Sequence, residues 1–164
     1  MARTHIQEKR RFRENGVCGI PDGDMRAVDL EAMPKQEVTE GLGLGDIEQP
    51  RKELEKARTV VIIGDNAGET VFDRIVISKI KRMKREEVNV FYGVRSALVI
   101  YDTTAEDAIA SGLDCDAAIV STGSTVPGLL LDEATLEFLE LYRAADVVIS
   151  KGQGNYETLG ESIG

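Results

Sequence analysis

The stretch Val60-Val61-Ile62-Ile63-Gly64-Asp65-Asn66-Ala67-Gly68-Glu69 predicts an apolar strand that ends at a glycine and turns into a helix. Apolar residues continue at helical spacing behind it: Phe72, Ile75, Val76, Ile80 and Met83. Open α/β sheets bind ligands at the carboxyl ends of their strands, where Asp65 and Asn66 stand. Two hard oxygen ligands beside a helix start predict a divalent cation with a phosphate next to it.

The rest of the chain alternates predicted strands with predicted helices. Strands are expected at 59–63, 88–94, 117–120 and 145–150, with a short apolar strand at 98–100; helices are expected at 69–85, at 104–111 and from about residue 132. This alternation predicts an α/β fold in which helices cover both faces of a mainly parallel sheet. The strand carboxyl ends then share one edge, which brings Asp65, Asp102, 121–124 and 151–155 together.

The length of 164 residues corresponds to one domain with its own core. Residues 1–27 are expected to be a disordered or unrelated tail, and 28–58 a short helical lead-in. Residues 59–164 then make up a metal-binding α/β domain. No apolar run is long enough to cross a bilayer and no secretory signal is visible, so we expect a cytoplasmic protein without a membrane partner.

Composition excludes several classes of function. The net charge of −9 argues against non-specific nucleic-acid binding, which needs clustered positive charge. The cysteines Cys18 and Cys115 lie far apart and the single histidine is His5. A Cys/His zinc site and a histidine-activated nucleophile are therefore not expected.

Each polar group at the expected sheet edge also has a simpler explanation. Asn66 and Glu69 fit a helix cap, although that leaves the charge of Asp65 without a role. Asp102 is either a third oxygen ligand or a turn residue. Lys151 either neutralises a phosphate beside a glycine-rich turn or lies in solvent. The loop 121–125 contacts phosphate or sugar hydroxyls, or is only a polar turn.

Three motifs in this order resemble the metal-dependent damage-control phosphatases, a family that includes protein-glutamate methyltransferase-like proteins. The motifs are Gly64-Asp65-Asn66-Ala67-Gly68-Glu69 with Phe72-Asp73, then Asp102-Thr103-Thr104, then Ser150-Lys151-Gly152-Gln153-Gly154-Asn155-Tyr156-Glu157. The resemblance implies a Rossmann-like three-layer α/β/α sandwich. It also implies a Mg²⁺, Mn²⁺, Co²⁺ or Ni²⁺ centre and hydrolysis of small phosphate esters, such as sugar phosphates or damaged phosphometabolites.

Carried over by residue, the resemblance implies that Asp65, Asn66 and Asp102 bind the metal, and that Asp65 and Lys151 are catalytic. It implies a substrate site made of Glu69, Ser121, Thr122, Gly123, Ser124, Lys151 and Asn155. The expected partner is a small phosphorylated metabolite, and the oligomeric state stays open. Whether water or a carboxylate attacks phosphorus is also open.

Members of this family are usually longer than this chain. A shortened chain is expected to be unselective and slow, because an open site positions its substrate loosely. One alternative function is therefore a weakly active or inactive fragment that binds metal and phosphate. Another, ranked lower, is a carboxyl methyltransferase.

Overall fold

A computed structural model describes residues 48–84 and 87–160 of the chain. The strands are β1 (Thr59–Ile63), β2 (Asn89–Val94), β3 (Ala118–Ser121) and β4 (Val147–Ser150). The helices are α1 (Glu48–Lys56), α2 (Thr70–Met83), α3 (Ala105–Ala110), α4 (Leu136–Ala144) and α5 (Gln153–Gly160), with single 3₁₀ turns at Ala67–Glu69, Leu113–Cys115 and Leu131–Glu133.

The four strands form one sheet in the order β3-β2-β1-β4. Every pairing is parallel: Val60 lies opposite Val90 on one side and opposite Val147 on the other. Parallel neighbours need a crossover between them, and the helices supply it. The predicted α/β class is confirmed, and all strand carboxyl ends lie on one edge.

Side chains of β1 alternate between two cores, one on each face of the sheet. Ile62 packs in a cluster with Ile77 of α2. Ile63 packs in a second cluster with Phe138 of α4 and with Leu159 of α5. β1 is buried on both faces, which explains its unbroken run of β-branched residues. Helices on both faces make the predicted three-layer sandwich.

Two predicted local structures are wrong. Residues 98–100 do not form a strand: the backbone N–H of Asp102 donates to the carbonyl of Val99 at 2.7 Å, which closes a turn, and Ile100 has φ of 45°. The supposed glycine-rich turn after Lys151 is a helix from Gln153 onward, which places Asn155 inside α5. Only the bend at Gly152, with φ of 79°, separates this helix from β4.

The expectation for residues 1–27 lies outside the described residues, as does most of the lead-in at 28–58. No helix of the described ranges combines the length and the apolar character that a membrane span requires.

Candidate functional site

The loop after β1 is tied to the loop that contains Asp102. The carbonyl of Asp65 accepts hydrogen bonds from the backbone N–H of Thr103 at 2.7 Å and from its hydroxyl at 2.9 Å. Asn66 and Asp102 face each other as an isolated antiparallel bridge. Thr103 is buried, so these bonds are shielded from water. The structure therefore brings Asp65, Asn66 and Asp102 together, although Asp102 comes from a turn and not from a strand.

Asp65 lies in an environment that disfavours its negative charge. Burial has the largest effect in raising the pKa of Asp65, and the charges of Asp102 and Glu69 raise it further. Lys151 and Arg95 act in the opposite direction but do not outweigh these effects. Like charges held this close predict that a cation would be favourable here.

Lys151 follows β4 and reaches across to two carboxylates. Its ammonium lies 2.7 Å from Glu69 Oε2 and 2.6 Å from Asp73 Oδ1. Burial by itself lowers the pKa of Lys151, but the hydrogen bonds to Asp73 and Glu69 outweigh it, so the pKa is raised. The hydrogen bond from Lys151, followed by one from Asn66, lowers the pKa of Glu69. Lys151 is thus a cation at neutral pH, held in a fixed direction.

Asp73 is held from its other side by Tyr92. The Tyr92 hydroxyl donates to Asp73 Oδ2 at 2.6 Å, and both side chains are buried. Burial, followed by the hydrogen bond and charge of Asp73, raises the pKa of Tyr92, so the phenol keeps its proton. Tyr92 and Asp73 therefore form a buried support beneath Lys151.

Gly152 permits the approach of Lys151 to this edge. Its φ of 79° lies in the left-handed region, and a Cβ on it would overlap the carboxylate of Asp65. The contact shows that the bend after β4 lies directly against Asp65. The structure therefore brings Lys151 and Asp65, the two predicted catalytic residues, to the same place.

The predicted substrate residues differ in exposure. Ser121 is exposed at the end of β3 and Gly123 is half-buried, whereas Thr122 and Ser124 are fully buried. The Thr122 hydroxyl donates to the carbonyl of Val94 at 3.0 Å, and the Ser124 hydroxyl to that of Gly128 at 3.1 Å. These two hydroxyls hold the loop in shape. Substrate contact by the loop stays a prediction.

Asn155 is also buried and is fully engaged with the protein. Its amide nitrogen donates to the carbonyls of Gly64 at 3.1 Å and Lys151 at 2.7 Å, while its oxygen accepts from Arg95 at 2.9 Å. The structure gives Asn155 an internal role, and its predicted contact with substrate remains untested.

Sequence reasoning missed Arg95, Tyr92 and the role of Asp73. Arg95 is the first residue after β2, so the rule that strand ends share one edge could have found it. Asp73 belongs to a quoted motif but had no assigned role. Tyr92 lies within a strand, and no sequence signal distinguishes it from other core aromatics.

The donor chemistry of the site fits a hard divalent cation. Among the described residues, no three His, Cys, Asp or Glu side chains are grouped to hold a metal, so the set depends on the amide of Asn66. Hydrogen bonds within the described part of the chain engage Oδ2 of Asp65, Nδ2 of Asn66 and Oδ2 of Asp102. One oxygen on each side chain is left for another partner, and such oxygens suit Mg²⁺ or Mn²⁺.

The charge balance agrees with that fit. Within the ranges 48–84 and 87–160, four carboxylates surround the site, those of Asp65, Glu69, Asp73 and Asp102, against the two cations Lys151 and Arg95. A divalent ion would balance this excess, and an anionic ester would then meet a neutral site instead of a negative one.

Comparison with known proteins gives a consistent result. The family description "Damage-control phosphatase ARMT1-like domain" matches residues 20–163. The chain is 36% identical over 133 residues to a damage-control phosphatase of Pyrococcus horikoshii, covering 81% of this chain and 46% of that protein. It is 36% identical over 128 residues to a damage-control phosphatase of Archaeoglobus fulgidus, covering 77% and 43%.

Comparison with solved structures points to the same family. The crystal structure of a DUF89 family protein from Pyrococcus horikoshii matches with a TM-score of 0.73 and 35% identity, covering 77% of this chain and 44% of that one. The chain spans a little under half the length of the relatives named here. The family match covers most of the chain and includes every site residue described above. The chain belongs to the ARMT1-like damage-control phosphatase family.

Proposed function

We propose that this chain is a divalent-metal-dependent phosphatase that hydrolyses small phosphate monoesters, such as sugar phosphates or damaged phosphorylated metabolites. The observation that supports this most directly is the grouping of Asp65, Asn66 and Asp102 at one sheet edge beside Lys151. The names of the relatives support a hydrolase of this class. The metal and the substrate class are our proposals.

Each residue of the site has a chemical task under this proposal. Asp65, Asn66 and Asp102 would hold the ion through their remaining oxygens. A bound Mg²⁺, Mn²⁺, Co²⁺ or Ni²⁺ would polarise a phosphoryl oxygen and orient the ester. Phosphoryl transfer depends mainly on such positioning and charge stabilisation, so few residues need to take part in bond making.

Lys151 is oriented to bind the phosphoryl group. An ammonium has three donors, and within the described residues the contacts with Glu69 and Asp73 use two of them. The third is left for a phosphoryl oxygen. The N-terminus of α5 starts two residues after Lys151, and its first N–H groups have no acceptor within the helix, which favours an anion there.

The attacking oxygen comes either from water or from the Asp65 carboxylate. In a single turnover in labelled water, direct attack by water puts oxygen-18 into phosphate and forms no phospho-enzyme. Attack by Asp65 forms an acyl phosphate whose hydrolysis at phosphorus leaves the label in phosphate, whereas cleavage at carbon leaves it in Asp65. Mass spectrometry of a tryptic peptide, together with trapping of a phospho-enzyme at low pH, separates the routes.

The proposal is tested by phosphate release from a panel of sugar phosphates with each of the four metals and with chelator. We expect Lys151→Ala and Asp65→Asn to lower kcat/KM by about 10²–10³-fold, since each removes a group that stabilises transition-state charge. Lys79→Ala and Asp132→Asn are matched controls at exposed positions, and both should keep full activity.

The outcomes distinguish this proposal from its main alternative. Release that disappears with chelator and in both site variants supports the phosphatase. No release with any metal, while Mn²⁺ and inorganic phosphate still bind in calorimetry, would show that this chain is a binding domain.

A further inference from the structure

Arg95 lies at the edge of the sheet where the strand carboxyl ends meet, and the proposed function gives its side chain no task. It is the first residue after β2, an inner strand of the sheet, and only 3% of its surface is exposed. Its backbone N–H donates to the carbonyl of Thr103 at 2.9 Å, which fixes it beside the loop of Asp102. A buried guanidinium at this place lies too deep to act as a surface contact for substrate.

The guanidinium divides its hydrogen bonds between two groups of the site. Its Nε donates to Asp102 Oδ2 at 2.7 Å, and its Nη2 donates to Asn155 Oδ1 at 2.9 Å. Nη1 is buried and has no hydrogen-bond partner in the described structure. The planar guanidinium of Arg95 therefore directs one donor at a carboxylate and another at an amide, in fixed directions.

Asn155 extends this connection to two further strand ends. The oxygen that accepts from Arg95 fixes which way the amide points, and its nitrogen then reaches the carbonyls of Gly64 and Lys151. One guanidinium at the end of β2 thus links the ends of β1 and β4. The carbonyl of Lys151 immediately precedes the bend at Gly152 that lies against Asp65.

A purely stabilising role explains these contacts poorly. Burying a charge is unfavourable even when the charge is paired, and replacing a buried ion pair by apolar residues of similar volume often leaves a protein as stable or more stable. The unpartnered Nη1 adds to that cost. The contacts do explain orientation, because the bond to Oδ2 of Asp102 leaves its other oxygen for a different partner.

We propose that Arg95 is a positioning residue for the phosphatase site. It sets the rotation of the Asp102 carboxylate, so that the second oxygen would be available to a bound cation, and, through Asn155, it sets the position of the Lys151 backbone. This inference rests on the proposed function. Lysine cannot replace it, since an ammonium is a point charge that lacks the rigid, planar fork of donors.

The first test compares Arg95→Lys with Arg74→Lys. Arg74 makes a similar bond, from Nε to Asp116 Oδ2 at 3.0 Å, but away from the site. We expect Arg95→Lys to lower kcat and Mn²⁺ affinity by about 10–100-fold, the usual effect of losing a group that orients a metal ligand, with a smaller change in KM. Arg74→Lys should leave kcat, KM and Mn²⁺ affinity unchanged. Equal behaviour of the two variants would overturn the proposal.

The second test does not depend on activity. In a ¹⁵N-labelled full chain, the side-chain NH₂ of Asn155 should give a resolved pair of signals that exchange slowly with water, both in the parent and in Arg74→Lys. In Arg95→Lys the pair should exchange at least tenfold faster. Unchanged exchange overturns the role of Arg95 even if the chain proves to have no phosphatase activity. If Arg95→Lys does not fold, Arg95→Gln takes its place in both tests with the same outcomes.

Discussion

At the scale of single residues, the position of Asp65 depends on the absence of a side chain at Gly152. The left-handed φ of Gly152 and the overlap that a Cβ would make with the Asp65 carboxylate act together. Both effects arise at a single position, so adding one methyl group at residue 152 is enough to test them.

Gly152→Ala should destabilise the protein by at least about 1–2 kcal/mol, the cost of a left-handed L-residue, and should also displace Asp65. Urea unfolding measures the stability, and Mn²⁺ calorimetry measures the site. Gly68→Ala is the control, because a Cβ there meets nothing within 4 Å. A Gly152→Ala variant as stable as the Gly68→Ala variant would contradict the close contact with Asp65.

Tyr92→Phe should cost about 1–3 kcal/mol of unfolding free energy, because it removes the donor to a buried carboxylate oxygen of Asp73. The support beneath Lys151 is then incomplete, so activity should fall as well. Chemical denaturation measures the first effect and kcat/KM the second. Tyr156→Phe, at a side chain that is 79% exposed, should change neither. Unaltered stability in Tyr92→Phe would argue against the buried bond.

The site residues that were predictable from sequence are those that lie at the carboxyl ends of strands. Asp65 lies two residues after β1 and Lys151 directly follows β4, and strand ends of a parallel sheet meet at one edge. Tyr92 and Asp73 could not be assigned in this way, because their roles depend on which side chains face each other across the core. Asn155 is assigned to substrate by the family resemblance alone, and its contact with substrate stays a prediction, because the structure shows its side chain bonded within the protein.

At the scale of elements, apolar runs predicted all four strands to within two residues of their bounds. The failures lie where local pattern conflicts with tertiary contacts. The apolar segment 98–100 pairs with no strand in the described part of the chain, and the hydrogen bond from the N–H of Asp102 to the carbonyl of Val99 closes a turn instead. The helix α5 contains glycines that predict a turn. Its residues Asn155 and Leu159 are buried, so one face of this helix packs against the rest of the protein.

The starts of β1 and β4 are joined by Asp146. Its carboxylate accepts from the backbone N–H groups of Arg58 at 2.8 Å and Thr59 at 2.9 Å. These bonds lower the pKa of Asp146 from its ordinary 3.8. A lowered pKa means that the stabilisation is complete above the ordinary pKa and is lost as the pH falls through the lowered one.

Asp146→Ala should therefore lower the midpoint of urea unfolding near neutral pH, by an amount that shrinks below the ordinary pKa of 3.8. Asp114→Ala, at an exposed aspartate, should give a small difference without this trend. A deficit for Asp146→Ala that grows on acidification would contradict the sign of the shift.

At the scale of the whole molecule, the excess of carboxylates at one edge predicts that stability depends on divalent cations. A ligand that binds only the folded state stabilises it by about 2.7 kcal/mol at a hundred times its dissociation constant. Mn²⁺ or Mg²⁺ should thus raise the thermal midpoint, and chelator should reverse the rise. In an Asp65→Asn/Asp102→Asn variant the rise should disappear, whereas added NaCl should affect both proteins alike. An equal Mn²⁺ response in both would exclude these residues as ligands.

The pairing of β1 with β4 also affects how the molecule is made. Contacts around the carboxyl ends of these strands join residues far apart in sequence: Glu69 and Lys151 are separated by 82 positions and Gly64 and Asn155 by 91. Closing such long loops costs entropy before any contact repays it, so these contacts form slowly. During synthesis from the N-terminus, Asp65 and Asp102 leave the ribosome well before Lys151 and Asn155. The part of the site that is proposed to meet a phosphate is therefore the last to be completed.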